Sequence, residues 1–371
     1  MKNNHISYID LGKNFKKIRY KLFLELSKIG EKGDFILGPK VKEFENKFKH
    51  FTKSKYAITC ANGTDAIEIS LKILNIKYGD EIITTSNTWL SVGNAILNVG
   101  AKPKFIDINN SLNMDPNKIE NIISKKTKCL IITHLNGLPG NMKIINKIAK
   151  KYKIKVLEDC SQAIGSKYNG IHVGNFGDIA TYSLHPTKNL GVFGDGGFIT
   201  TKNKKYYEKI LKIRNNGLIN RDVSSLTGRN SRLDNFQAIV GLLQLKNVNE
   251  HINLRQKNAK YYDKQLASID EIISTPSDFI LKKSTHSYHR YVLICKKRDG
   301  LLKFLIKNDI DAKVHYPVNI HEQFQFKKFY KNNLKITNKL NKKIISLPVH
   351  ENLNLNDLNK VIFYIKKYYN K

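Results

Sequence analysis

The chain has 371 residues, 41% of them hydrophobic, and 64 Lys and Arg stand against 31 Asp and Glu for a formal net charge of +33. That length allows a large core, in two domains or in one large domain with a smaller one. No apolar run approaches the roughly 20 residues that a membrane-spanning helix needs, and residues 1–10 lack an apolar signal core, so a cytoplasmic location without membrane contact is expected. Cys60, Cys129, Cys160 and Cys295 are scattered without CxxC spacing, which argues for buried thiols over disulfides or a zinc site. The charge suggests a nucleic-acid partner. Yet the lysines run along the whole chain, with no basic arm, zinc-finger spacing or RNP-like motif. A solvated basic surface that attracts small anions is the expectation, with no nucleic acid.

In chain order, Phe35-Ile36-Leu37-Gly38-Pro39 is a turn, and residues 41–51 have helical spacing with Val41, Phe44, Phe48 and Phe51 on one face. Residues 56–60 read as a strand, Asn62-Gly63-Thr64-Asp65 as a turn, and 66–74 as an amphipathic helix. A strand, a glycine turn and then a helix leave free N–H groups at a positive dipole end, a place for phosphate. The plainer reading is an ordinary helix capped by Thr64. Residues 81–84 form a strand that leads to Trp89, the single tryptophan, before a helix near Val92. That indole is a core anchor or a platform for a planar ring. Strands at 104–108 and 129–133 and a helix at 141–152 continue the alternation, which implies a mostly parallel sheet.

Residues 154–159 are a strand that ends on Asp159, where open α/β sheets bind ligands; Gln162 lies three positions on. Residues 179–183 are another strand. It runs into Ser183-Leu184-His185-Pro186-Thr187-Lys188-Asn189-Leu190-Gly191, a fixed turn that presents one lysine, followed by Gly194-Asp195-Gly196-Gly197. A lysine so held can form a Schiff base with an aldehyde; the plainer reading is a surface lysine in a loop. His185 suits packing or substrate contact. Residues 197–200 close the sheet. Helices at 235–245 and 251–266, a strand at 288–295, a helix at 301–308, His315-Tyr316-Pro317 and a terminal helix at 355–369 complete the chain. The division falls between 1–250, a large domain, and 251–371, a small one.

Taken together and in this order, these motifs resemble the DegT/DnrJ/EryC1/StrS family of sugar aminotransferases. Also included are Gly79-Asp80-Glu81, Glu158-Asp159-Cys160-Ser161-Gln162-Ala163, Gly174-Asn175-Phe176-Gly177-Asp178, Asn230-Ser231-Arg232-Leu233-Asp234 and His321. The resemblance implies an α/β fold of the PLP-dependent transferase fold type I, aspartate-aminotransferase-like, with a large mostly parallel-sheet domain and a smaller C-terminal α+β domain. It implies pyridoxal 5'-phosphate (PLP) as cofactor. By the same resemblance Lys188 would carry it, Asp159 would keep its ring nitrogen protonated, and Gln162 would bond its phenolic oxygen. Trp89 would stack on the ring, Gly63, Thr64 and Ser183 would bind the phosphate, and Asn230 would reach that phosphate from the partner in a homodimer with shared sites. Ser161 stands where the family often has alanine. Leu135-Asn136-Gly137-Leu138-Pro139 stands where it often has an aromatic residue.

The implied reaction moves an amino group from L-glutamate to the ketone of a nucleotide-linked sugar, in amino-sugar and surface-glycan biosynthesis, with Lys188 as proton carrier and no metal. Gly194-Asp195-Gly196-Gly197 resembles members that aminate C3; C4 members more often carry Gly-Glu-Gly-Gly. His315, Tyr316 and His321 are candidate substrate contacts, against a purely structural turn. A dehydratase of the family would carry histidine in place of Lys188. A small phosphorylated ketone or a cyclitol is an alternative acceptor. A regulatory or nucleic-acid-binding protein on the same fold has no need of Asp159, Gln162 and Lys188 together.

Overall fold

A computed structural model of the chain describes residues 5–330 and 333–371. Residues 1–4, which open the segment read above as lacking a signal core, lie outside them. Among the described residues, nine strands precede the last third of the chain: β1 (Tyr56–Cys60), β2 (Glu81–Thr85), β3 (Lys102–Ile106), β4 (Thr127–Thr133), β5 (Lys155–Asp159), the short hairpin β6 (Lys167–Tyr168) and β7 (Ile171–His172), β8 (Ile179–Ser183) and β9 (Gly197–Thr201). Seven of them make one sheet in the order β1-β9-β8-β5-β4-β2-β3. Only β9 runs antiparallel, to both β1 and β8, so the sheet is mostly parallel as expected.

The strands are buried along most of their length because helices cover both faces. Ile131 and Leu157 face a core shared with Ile67 and Ile96. Their neighbours Leu130, Ile132 and Val156 face the opposite core, with Ile145 and Ile148. The covering helices are α1 (Leu11–Lys32), α2 (Pro39–Thr52), α3 (Gly63–Ile73), α4 (Leu90–Asn98), α5 (Met142–Tyr152), α6 (Lys204–Ile213) and α7 (Asn235–Leu245). Pro39 starts α2 where a missing N–H costs nothing. Its Phe48 stacks on Phe198 of β9, centroids 3.9 Å apart. Gly241 of α7 lies against Phe44, where a Cβ would meet the ring at 2.3 Å, so a side chain there would force α7 off α2.

Helix α8 (Val248–Leu266) leads to a three-stranded antiparallel sheet, β10 (Ile272–Ser274), β11 (Tyr291–Cys295) and β12 (Ile344–Leu347). Around it lie α9 (Arg298–Lys307), α10 (Lys335–Asn341) and α11 (Leu355–Tyr368). Tyr262, Tyr291, Leu293, Ile345 and Ile365 share one core there, and Ile6 joins it, bridged to Ile310. The beginning of the chain thus packs against its last third. The 250/251 division proposed from sequence falls in the first turn of α8. Among the described residues no helix is long and apolar enough to cross a membrane.

Candidate active site

The C-terminal ends of the parallel strands open on a cavity of about 480 Å³, walled on the far side by residues 314–317 of the small sheet's surroundings. Each wall has a local cause. At the end of β1, Asn62 caps α3, its Oδ1 accepting from Asp65 N at 2.8 Å. Sequence had offered Thr64 as the cap. With Asn62 in that role, the Thr64 hydroxyl bonds Ser91 Oγ (2.8 Å) and the residue lines the cavity. The amides of Gly63 and Thr64, first in the helix, have no partner within it. Gly63 also faces Ser183 at the end of β8, where a Cβ would come within 2.9 Å of Ser183 Cβ. This is a cradle for an anion at a helix N-terminus with a hydroxyl on either side.

Asp159 ends β5 and is 4% exposed. Among the described residues its carboxylate accepts only from neutral groups, Ser161 N at 3.1 Å and Thr133 Oγ1 at 3.3 Å. A buried carboxylate supplied in this way is suited to a cationic N–H in the cavity. Behind it, buried His134 and Glu158 lie Nε2 to Oε2 at 3.0 Å. His134 Nδ1 accepts from Gly140 N, and Glu158 accepts from the amides of Gly174, Phe176 and Gly177. Cys160 approaches both, but the lone pairs a metal would use on His134 and Glu158 are engaged, so the trio holds the end of β5 in place.

Gln162 is oriented by two donors on its Oε1, Asn136 N at 2.9 Å and Arg290 Nη1 at 3.1 Å. Its Nε2 is therefore the end turned toward Tyr316 Oη (3.2 Å) and the cavity. Asn136 sits in the family-divergent stretch, with φ of 60°. Its carbonyl also takes the N–H of Arg290 at 3.1 Å. Trp89 precedes α4, 57% exposed, its ring 5.4 Å from that of Tyr316. An indole so open over a cavity leaves a face free for a planar ligand.

Lys188 closes the turn after β8, its N–H on His185 O at 2.9 Å. Burial, and then Arg290, push its ammonium down to about 7, with Asp159 acting the other way. Neutral amine is thus available at ordinary pH. His315 bonds Ser346 Oγ (3.0 Å), and burial with Arg290 nearby holds its ring neutral.

Gly63, Thr64, Trp89, Asp159, Gln162, Ser183, Lys188, His315 and Tyr316, separated by up to 253 positions in the chain (316 − 63), therefore line one cavity. Two candidates stand apart. His321 is buried beside the cavity wall, its Nδ1 2.7 Å from Ser86 Oγ and its ring stacked on Tyr330. Asn230 is exposed and paired with Asn215 on the rim of a segment that Arg229 ties to Asp65 of α3 (3.0 Å). The sequence reading passed over Arg290. Its one signal was a lone cation, among Ser287-Tyr288-His289, at the head of an apolar strand.

Residues 16–366 match the DegT/DnrJ/EryC1/StrS aminotransferase family. The pleiotropic regulatory protein of Geobacillus stearothermophilus is 34% identical over 98% of this chain and 99% of its own. The dTDP-3-amino-3,6-dideoxy-alpha-D-galactopyranose transaminase of Aneurinibacillus thermoaerophilus is 33% identical over 98% of this chain and 99% of its own. NtdA from Bacillus subtilis, solved with bound cofactor PMP, superposes with a TM-score of 0.93 at 28% identity over 100% of this chain and 86% of that one. Fold, cavity and sequence agree: the chain belongs to the DegT/DnrJ/EryC1/StrS family of PLP-dependent aminotransferases.

Proposed function

We propose that this aminotransferase carries an amino group from L-glutamate to a nucleotide-linked 3-keto-hexose in the cytoplasm, using PLP held in the cavity at the ends of β1, β5 and β8. The observation that carries the reading is the convergence of Asp159, Gln162 and Lys188 on that cavity, with the Lys188 amine available near neutrality. The cavity's chemistry fits the cofactor. The amides of Gly63 and Thr64 and the hydroxyls of Thr64 and Ser183 suit its phosphate, Asp159 suits a protonated ring nitrogen, and Gln162 Nε2 suits a phenolic oxygen. When bound, the cofactor supplies an electron sink for the amino carbon. Lys188, as the free amine, would take the proton from that carbon and deliver it to the cofactor's carbon on the other side of the shared nitrogen. Asp159 would hold the ring nitrogen protonated, and Trp89 would offer a stacking face to the ring.

The acceptor follows from Gly194-Asp195-Gly196-Gly197, from the relative that makes a dTDP-linked 3-amino sugar, and from a +33 surface that favours an anionic diphosphate. Enzyme loaded with glutamate should convert dTDP- or UDP-linked 3-keto sugars. Turnover of the 4-keto isomers alone would overturn the position, and turnover of dihydroxyacetone phosphate alone would overturn the nucleotide sugar.

The same cradle yields a direct test of the phosphate site. Gly63→Ala brings a methyl against Ser183, so affinity for PLP should fall about tenfold to a hundredfold, read by titration of the visible absorbance. Unchanged affinity would move the phosphate elsewhere.

A homodimer with shared sites is part of the proposal. Tyr20, Phe23 and Leu24 of α1 are 71%, 58% and 64% exposed, an apolar face suited to a second copy. Asn230 lies outside the cavity of its own chain, as a residue serving the partner's phosphate would. Mixing Asn230→Ala subunits with Lys188→Ala subunits should regain part of the activity, since one of the two sites then has both groups. An active monomer, or no regain on mixing, would remove the shared site.

A further inference from the structure

Arg290 is 8% exposed and lines the cavity, yet its guanidinium meets no carboxylate among the described residues. Nη1 donates to two neutral oxygens, Gln162 Oε1 and Tyr316 Oη, each at 3.1 Å. The N–H groups on Nε and Nη2 have no recorded acceptor among the described residues. Other buried arginines are paired: Arg255 with Glu351 at 2.7 Å, and Arg214 with Glu45. A buried cation without a counter-ion is costly to keep. A guanidinium fork left open toward a cavity matches a carboxylate in shape and charge.

The group is also held in place. Its backbone N–H is fixed on Asn136 O, and the Tyr316 ring lies 5.0 Å beneath the guanidinium. Arg255 Nη1 anchors Tyr288 O, two residues before it, at 3.3 Å. Arg290 does not bond the Gly63, Thr64 and Ser183 cradle, so the cavity has two separate places for anions. The second one adjoins Gln162 and Tyr316 and is close enough to Lys188 to depress its basicity.

We propose that Arg290 receives the carboxylate of the amino donor, an α-amino acid. This rests on the aminotransferase reading above. The choice of donor over acceptor follows from bond counting. The carboxylate of an α-amino acid is attached to the very carbon whose proton Lys188 removes, so its counter-ion must stand beside that lysine. The phosphates of a nucleotide-linked sugar lie several bonds from the ketone carbon. A carboxylate seated on Arg290 also offsets the arginine's field at Lys188 and makes the amine a stronger base when it must take the proton.

The test uses the PLP-loaded enzyme, Arg290→Gln and Arg290→Lys. With glutamate alone, loss of the aldehyde absorbance should require about 10- to 100-fold more glutamate in Arg290→Gln, with partial recovery in Arg290→Lys. The return half-reaction, aminated enzyme with keto sugar, should change less than about threefold. Glutarate, a dicarboxylate with no amine to react, should bind wild-type enzyme by calorimetry, and Arg290→Gln should lose that binding. Absence of glutarate binding to wild type overturns the proposal even if Arg290→Gln fails to fold. So does a loss confined to the keto-sugar half-reaction, which would make Arg290 an acceptor contact. Failure of the cofactor reading has a different signature: no visible absorbance and no borohydride adduct in the wild type.

Discussion

Lys188→Ala should lower kcat by roughly 10⁴-fold while the protein still binds PLP without a covalent link. The lysine is required twice, as the attachment point and as the group that moves the substrate proton, and no second amine or imidazole stands ready to replace it. His185 lines the same cavity, but its Nδ1 is engaged with Thr187 Oγ1 at 2.9 Å. His315 bonds Ser346 Oγ and is held neutral. Binding should survive because the cradle at α3, Asp159 and Trp89 are untouched by the change. The pH dependence has a definite sign. Only the uncharged amine attacks an aldehyde, and burial with Arg290 brings the Lys188 ammonium down to about 7. Covalent capture of PLP by cofactor-free enzyme should therefore quicken as pH rises through about 7 and level off above it. An unburied lysine would keep quickening toward its ordinary value near 10.4. Single-turnover spectra across that pH range measure the effect.

Asp159→Asn should be the second most damaging change, at about 10³-fold in kcat. The carboxylate's two internal donors are neutral, so the amide can keep one of those contacts and preserve the local fold. What it cannot keep is the negative charge that holds a ring nitrogen protonated in a buried site. A substitution that merely disturbed packing would lower thermal stability along with activity. Here the melting temperature of the cofactor-free protein should be little changed, because a buried carboxylate that forms no ion pair among the described residues is replaced by a neutral amide of the same shape. Loss of kcat with preserved melting supports the assignment, and preserved kcat refutes it.

Much of this arrangement was legible in the sequence because its signals are local. Strand β8 and helix α7 appear at their expected bounds, since a short apolar run before a fixed turn and an apolar stripe after an aspartate are read from neighbouring residues. Asp159 and Lys188 were legible for a similar reason: one ends a strand and the other closes the fixed turn that follows one. Helix α1 escaped notice. It buries only Ile18, Leu22 and Ile29 along 22 residues and leaves the rest, aromatic residues included, on the outside, so its periodicity is faint. The expected strand at 288–295 starts at Tyr291 because Tyr288 takes a φ of 46°, which no extended pattern predicts. The antiparallel insertion of β9 between β1 and β8 depends on a distant pairing, Cys60 with Gly197, and no local signal carries it. Arg290 was hidden likewise. Its significance comes from Gln162 and Tyr316, which are 128 positions before it and 26 after it and meet it only in the fold.

The measurement that bears most directly on the account is borohydride reduction of the PLP-loaded protein at neutral pH, followed by peptide mapping. The account predicts one stoichiometric adduct, on the peptide that carries Lys188, and none in Lys188→Ala. An adduct on a different lysine, or an unlabelled Lys188 peptide from protein that has bound the cofactor, would contradict it.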